Sequence, residues 1–322
     1  MREVAFIKQN KEKWLAIERI IQENEKKNPD ELSRLYINLI NDLSFAQTYY
    51  PKSKVTVYLN DLSAQIFQKV YKTKRIEKNR FWAFFSEEVP LLVYKYRTYL
   101  AVAFLFFALF VGVGVLSSIY DKEFAQLILG TDYVHMTIEN IEKDNAVGVY
   151  QSGSNWGTAI MIIFNNLIVG AKLYLYGVFF CVGTLYALMN NSIMLGTFQY
   201  FFVEHGALKE SAKGIWIHGI FEIFAMVIEA MAGLILGASF LFPKTFSRIE
   251  SLKRGFKDSF KIFVSTIPFT IVAGILEGFV TRYALKMPTV LNAFILISCA
   301  LIIVFYYLIY PRIVYNKLLP KN

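Results

Sequence analysis

The sequence predicts an all-α protein: a polytopic six-helix transmembrane bundle preceded by an N-terminal cytoplasmic helical domain. Three observations carry this. Of 322 residues 55 % are hydrophobic and only 18 % charged, with a mean hydropathy of +0.40, whereas a soluble domain averages about 45–50 % apolar and about 25 % charged. The apolar residues after Arg97 fall into runs long enough to cross a bilayer. The first 97 residues instead alternate apolar and charged positions with helical period. Disorder, collagen and coiled coil are excluded as whole-chain descriptions. Cys181 and Cys299 both lie inside apolar runs, which excludes a disulfide framework and a cysteine-rich zinc site.

Residues 1–97 hold 18 Lys/Arg against 12 Asp/Glu. No apolar core of a cleavable signal peptide is visible at the start. Val4, Ile7, Trp14, Ile17 and Ile21 share one helical face. Asn28-Pro29-Asp30-Glu31 supplies a cap, a first-turn proline and acids, which starts a second helix through Leu32, Leu35, Leu39 and Leu43. Pro51 ends it, and a third runs from about Val55 to Tyr71. Phe81-Trp82-Ala83-Phe84-Phe85 is an aromatic segment suited to the headgroup plane; a fourth core helix of the bundle is the alternative.

Six spans follow. Tyr99–Ser118 is uncharged. Thr158–Phe202 holds two spans, breaking near Lys172–Gly177, with Lys172 as its one charge. Gly214–Phe242, Ile262–Leu285 and Leu291–Tyr310 complete the set. The organisation is a cytoplasmic helical bundle with an interfacial segment over 1–97, a six-span domain over 98–312 with an acidic outer loop at 120–155, and a basic cytoplasmic tail at 313–322. The loop carries Asp121, Glu123, Asp132, Glu139, Glu142 and Asp144 against Lys122 and Lys143. The 243–261 loop carries Lys244, Arg248, Lys253, Arg254, Lys257 and Lys261 against two acids. Basic segments stay on the cytoplasmic side, so six spans with both termini inside satisfy all of them. The net charge of +9 is then a topology signal and a contact for anionic lipid. Nucleic acid is not expected as a partner, because no reading motif accompanies the charge.

Charge at membrane depth costs about 2.5–3.5 kcal/mol on insertion scales. At 100° per residue Glu222 lies about 40° and Glu229 about 20° from His218, with Ala225, Ala232 and Gly233 on the same stripe. On a 1.5 Å rise, Glu222 and Glu277 lie roughly 12 Å below the outer surface, Asn165 and Asn166 about 11–12 Å, and Asn190 and Asn191 about 14–15 Å. These residues are expected to form one buried Asn/Glu/His layer. Interhelical glue is the first interpretation; a transport or proton path, or an acid/base or metal site, are the others. His218, Glu222 and Glu277 are a weak metal candidate, since His-x-x-x-Glu is not His-Glu-x-x-His and His135 and His205 lie outside the spans. No catalytic residue is assigned and no cofactor is expected. No P-loop, Rossmann glycine pattern or nucleophile elbow is present. Gly233-x-x-x-Gly237 and Gly274-x-x-x-Gly278 permit close helix contacts, a homodimer among them.

Four segments resemble the stage II sporulation protein M family: Asn165-Asn166-Leu167-Ile168-Val169, Asn191-Ser192-Ile193-Met194-Leu195-Gly196, His218-Gly219-Ile220-Phe221-Glu222 with Ala232-Gly233-Leu234-Ile235-Leu236-Gly237, and Ala273-Gly274-Ile275-Leu276-Glu277-Gly278-Phe279-Val280-Thr281. The opening Phe6-Ile7-Lys8-Gln9-Asn10, with Trp14 and Glu18, is similar to the family's N-terminal helix. The glycine that usually follows the span-three Asn is Ser192 here. The resemblance implies a bacterial cytoplasmic (inner) membrane protein, multi-pass. Sporulation members scaffold peptidoglycan-degrading enzymes during engulfment, and other relatives accompany an AAA-type ATPase. The expected function is a non-catalytic membrane scaffold that recruits membrane or envelope proteins. The alternative is an intramembrane enzyme or carrier for a lipid-linked substrate.

Overall fold

The computed structural model describes residues 2–22, 29–73, 79–143, 145, 148 and 154–318. The cap Asn28, the loop acid Asp144 and Lys321 of the tail lie outside the described residues. Among those described, every regular element is helical. The chain divides into two compact units, Met1–Arg80 and Phe81–Asn322.

The first unit contains α1 (Glu3–Gln22), α2 (Pro29–Tyr49) and α3 (Lys54–Thr73). Its core takes Phe6, Trp14 and Ile17 from α1, Leu39, Leu43 and Ala46 from α2, and Val55, Leu59, Leu62 and Ile66 from α3. The i, i+3/i+4 spacing of these residues is what gives each helix one apolar face. Phe6, rather than the expected Val4, fills the start of the α1 face; Val4 is exposed. The Trp14 indole N–H donates to Asp42 Oδ2 at 2.9 Å. Lys13 pairs with the same carboxylate, so a buried ring and a surface charge share one anchor.

The second unit opens with α4 (Arg80–Ala83), a π-helical turn Phe84–Glu88 and α5 (Val89–Lys95). This segment, grouped with residues 1–97 by the sequence, makes its contacts with the membrane helices. Val89 N–H bonds Phe84 O, and Pro90 has no N–H to offer Phe85 O at the π-helical spacing. The Tyr306 hydroxyl donates to Phe85 O instead, at 2.9 Å, and Tyr310 donates to Ser86 O at 3.1 Å. Lys261–Glu88 (2.5 Å) and Lys95–Asp258 (2.7 Å) bind the same segment to the helix Arg248–Phe279, which carries most of the basic region. Phe81 and Trp82 remain exposed.

Then come α6 (Arg97–Tyr120), α7 (Phe124–Leu129), α8 (Thr131–Glu142), α9 (Asn155–Leu175), α10 (Val182–Glu204), α11 (Leu208–Leu241), α12 (Arg248–Phe279), α13 (Thr289–Val304), a second π-helical turn Phe305–Ile309, and α14 (Tyr310–Leu318). Among the described residues five stretches are long and apolar enough to cross a membrane: Arg97–Tyr120, Asn155–Val178, Leu208–Leu241, Arg248–Phe279 and Thr289–Leu318. Sequence patterning predicts six. The one not among them is α10, whose length is ample but whose hydropathy is lowered by Thr184, Asn190, Asn191, Ser192, Thr197 and Gln199.

Two expected loops are largely helical. The acidic 120–155 segment contains α7 and α8. The basic 243–261 segment joins α12 at Arg248, where Ser247 Oγ caps the helix by accepting from Glu250 N at 3.3 Å. Helix α11 is the centre of the unit and packs on α12, α9, α13, α6 and α10. Val227, Ile228, Ala230, Met231 and Ala232 along it are fully buried. Large apolar side chains of α6 face outward, Leu105 at 71 % and Leu109 at 62 % exposure. Such a surface suits lipid.

Glycine sets the closest approaches. A Cβ on Gly233 would meet Leu173 O and Thr184 Oγ1, and one on Gly237 would meet the Cys181 and Gly177 backbone. Gly274 and Gly278 lie against Ile163 and Ala159 of α9. Both small-residue motifs are therefore filled by α9 and the turn after it, within one chain. On the other side, Gly114 faces Ile193 O and Gly196 faces Val111 O. Ser192 is fully buried there and donates to Leu188 O at 2.6 Å, and the α6–α10 approach is made at Gly114 and Gly196.

Candidate functional site

Helix periodicity places His218 and Glu222 on one face of α11, and the last turn of α12 brings Glu277 to them. One ligand atom from each of the three lies within 4.8 Å of the others. His218 is 3 % and Glu277 7 % exposed. His218 Nε2 stands 3.8 Å from Glu277 Oε2. Its Nδ1 lies 2.8 Å from Thr281 Oγ1, and the Thr281 hydroxyl donates to Gly214 O at 3.3 Å. A Thr281 hydroxyl that donates to Gly214 O accepts from Nδ1–H, the tautomer in which the Nε2 electron pair faces the carboxyls. Asn166 of α9 donates its amide N–H to Glu222 Oε1. Glu222 and Glu277 bring carboxyl oxygens within 4.8 Å of each other and of the ring.

This group opens on a cavity of about 400 Å³. Apolar walls come from Ile162, Leu195, Phe198 and Ile223; Asn165, Asn166, Gln199 and Trp216 add polar atoms. Trp216 Nε1 donates to Gln199 Oε1 at 3.2 Å. Ile128, Leu129 and Tyr133 from α7 and α8 close it on the side of the acidic segment. Burial raises the Tyr133 phenol above its ordinary value, and the nearby Glu277 adds to the shift.

The predicted layer divides. His218, Glu222, Glu277 and Asn166 come together, and Asn165 lines the cavity although its side chain is exposed. Asn190 is exposed, and Asn191 donates its amide to Ala187 O of its own helix at 2.8 Å. Neither reaches the group, because the same depth on α10 is matched to a different direction around its axis. Glu229 is also apart. It sits two helical turns along α11, 4 % exposed, where Thr266 Oγ1 donates to its Oε1 at 2.9 Å and Gly170 abuts its carboxyl.

Thr281 and Tyr133 were not singled out by sequence. Thr281 lies four residues after Glu277 and so one helical turn further on the same face, a signal that was available. Tyr133 carries no such signal, since nothing local says that α8 folds over the spans.

Comparison with known proteins follows the same division of the chain. The model of stage II sporulation protein M matches residues 103–282, which include every residue of the polar group. A domain family of unknown function (DUF8413) matches residues 4–72, the first unit. The chain is 31 % identical over 120 residues to "Uncharacterized protein MJ0706" of Methanocaldococcus jannaschii, covering 36 % of this chain and 52 % of the relative. The match thus spans about half the length of that curated relative. No solved structure matches the chain. With a match across more than half of its residues, the chain belongs to the stage II sporulation protein M family.

Proposed function

We propose that this protein is a non-catalytic organiser of the cytoplasmic membrane, crossing it six times with both termini inside and recruiting other membrane or envelope proteins. The observation that carries the proposal is its two-unit construction. A helical unit with its own core, Met1–Arg80, is joined to a separate membrane unit. The first unit keeps some apolar side chains outward, with Val4, Ile37 and Val57 at 77, 58 and 71 % exposure, and in this proposal its outer faces are where partners dock. In this arrangement α10 is the sixth span. The basic residues of 2–97, Lys244–Lys261 and Arg312 then face the cytoplasm, and Asp121–Glu142 face outward.

Affinity capture of the full chain from its native membranes tests this. Membrane or envelope proteins co-purify, Glu222→Gln leaves them in place, and exposed-face changes such as Val57→Asp remove them. Loss of every partner from Glu222→Gln at normal protein level overturns the organiser.

A second proposal, an intramembrane enzyme or carrier for a lipid-linked substrate, is favoured by the cavity that joins an imidazole and two carboxyls. Photo-crosslinking of a lipid-linked headgroup that depends on Glu222 and Glu277 supports it. Labelling that is unchanged in both Gln variants ends it.

A further inference from the structure

We propose that His218, Glu222 and Glu277 bind one divalent first-row transition-metal ion, of the zinc or manganese class, in the cavity between α9, α11 and α12. The donor set is one imidazole nitrogen and two carboxylates. Three protein ligands of this kind with a fourth position open are the composition of reactive rather than structural metal sites. The nitrogen donor favours a transition metal over Ca²⁺ or Mg²⁺, which prefer oxygen-only shells.

The geometry needs little adjustment. The three ligand atoms lie within 4.8 Å, and bonds of about 2.0–2.2 Å need them roughly 3.3–3.6 Å apart. Rotation of the two flexible Glu side chains closes that gap. Imidazole, the stiffest of the three, is already oriented. Thr281 Oγ1 lies 2.8 Å from Nδ1, placed to hold its N–H, while Nε2 faces Glu277 at 3.8 Å. A metal-bound histidine almost always gives its other N–H to such an outer partner. Asn166 does the same for Glu222. Two of three ligands thus have an outer-shell partner, each from a different element.

Charge balance points the same way. Two ionised carboxylates in a buried slab are costly, and one divalent ion neutralises both. The cavity of about 400 Å³ leaves the open coordination side in contact with Asn165 and Asn166, which suits water or the oxygen of a phosphate or carbonyl group. Glu229 supplies the internal contrast. It is equally buried, but its polar partner is Thr266, and it belongs to no ligand group among the described residues. The metal site stands independently of the organiser and enzyme proposals, and its loss leaves both open.

The test uses the full chain purified in detergent, stripped with chelator, and reloaded with Zn²⁺ alone or Mn²⁺ alone. After desalting, metal content is measured together with the size-exclusion profile. The expected result is one tightly held ion per chain. His135→Ala and Glu229→Gln retain it, and Glu222→Gln with Glu277→Gln lowers affinity at least about tenfold. Thr281→Val keeps every ligand but frees the ring, and weakens binding about 10–100-fold. This variant decides the matter if the double variant does not run as a single peak. Wild-type protein that holds neither ion overturns the proposal. So does equal affinity in the Thr281→Val or double Gln variant, or an equal loss from Glu229→Gln.

Discussion

Gly233 of α11 and Gly177 of the turn after α9 meet backbone to backbone: a Cβ on Gly177 would overlap Gly233 O. This contact is where the chain reverses between two spans, with Cys181 in the left-handed region at φ 69° to begin α10. Helices that lack a hydrophobic drive to associate in lipid depend on such approach. Gly233→Leu therefore overpacks the centre of the unit, at a cost of about 1–3 kcal/mol. The expected readout is a fall in detergent Tm of roughly 2–4 °C per kcal/mol. Gly219→Leu, which has nothing within 4 Å of its Cβ position, leaves Tm near the wild-type value. Equal Tm in the two variants contradicts the assigned contact.

How much of this was legible beforehand varies with what the sequence encodes. The pairing of His218 with Glu222 followed from helical period alone. Glu277 was placed with them by depth, because helix rise converts residue number into level. The same arithmetic failed for Asn190 and Asn191, since level says nothing of direction around the axis, and α10 spends its inward face on Ser192 and Gly196. Glu229 shows the complementary error: it shares the face of His218 but lies about three turns deeper, with Thr266. The basic 243–261 segment looked like a loop by charge. Its Ile249, Leu252, Phe256 and Phe260 keep helical spacing, so α12 simply continues past the charges.

Glu229 and Gly170 form a pair in which the carboxyl occupies the space a side chain on α9 would need. Gly170→Ala alone forces the carboxyl away from Thr266 and destabilises by about 1–3 kcal/mol. In a Glu229→Ala background that space is empty, and the same substitution becomes nearly neutral. A double-mutant cycle on thermal stability reads a coupling of about 0.5–3 kcal/mol. Simple additivity would mean that the two residues do not share this space.

Asp258 accepts from Lys95 at 2.7 Å and from the Tyr96 hydroxyl at 2.9 Å. Burial lowers the Lys95 ammonium, but its bonds to Asp258 and Tyr96 outweigh that and leave it raised above 10.5. Burial is the larger cause of the rise of Tyr96 above 10.0, with Asp258 adding to it. Both groups are held protonated in the folded state. Their stabilisation is fully present below the ordinary values and is lost as pH rises through the raised ones. Thermal stability should therefore hold up to about pH 10, the ordinary value of Tyr and Lys, and decline as pH rises above it. Asp258→Asn should flatten the part of that decline that depends on charge pairing. A slope unchanged by Asp258→Asn would assign the alkaline loss to other groups.

The first unit offers a test of the two-unit construction at a single ring. Trp14 is 3 % exposed, packs edge-on against Phe6 at 5.4 Å and donates to Asp42. Trp14→Ala removes the largest side chain of this small core together with its hydrogen bond to Asp42, costing about 3–5 kcal/mol. A three-helix unit of this size has little more than that to lose. The expected result for Trp14→Ala in the full chain is rapid proteolysis within residues 2–73, with Phe81–Leu318 remaining as a protected fragment. The milder Asp42→Asn keeps an acceptor for the indole and leaves the digestion pattern of wild type. If Trp14→Ala instead exposes the spans to protease at the same rate, the two units fold as one, and partner recruitment by the first unit loses its structural basis.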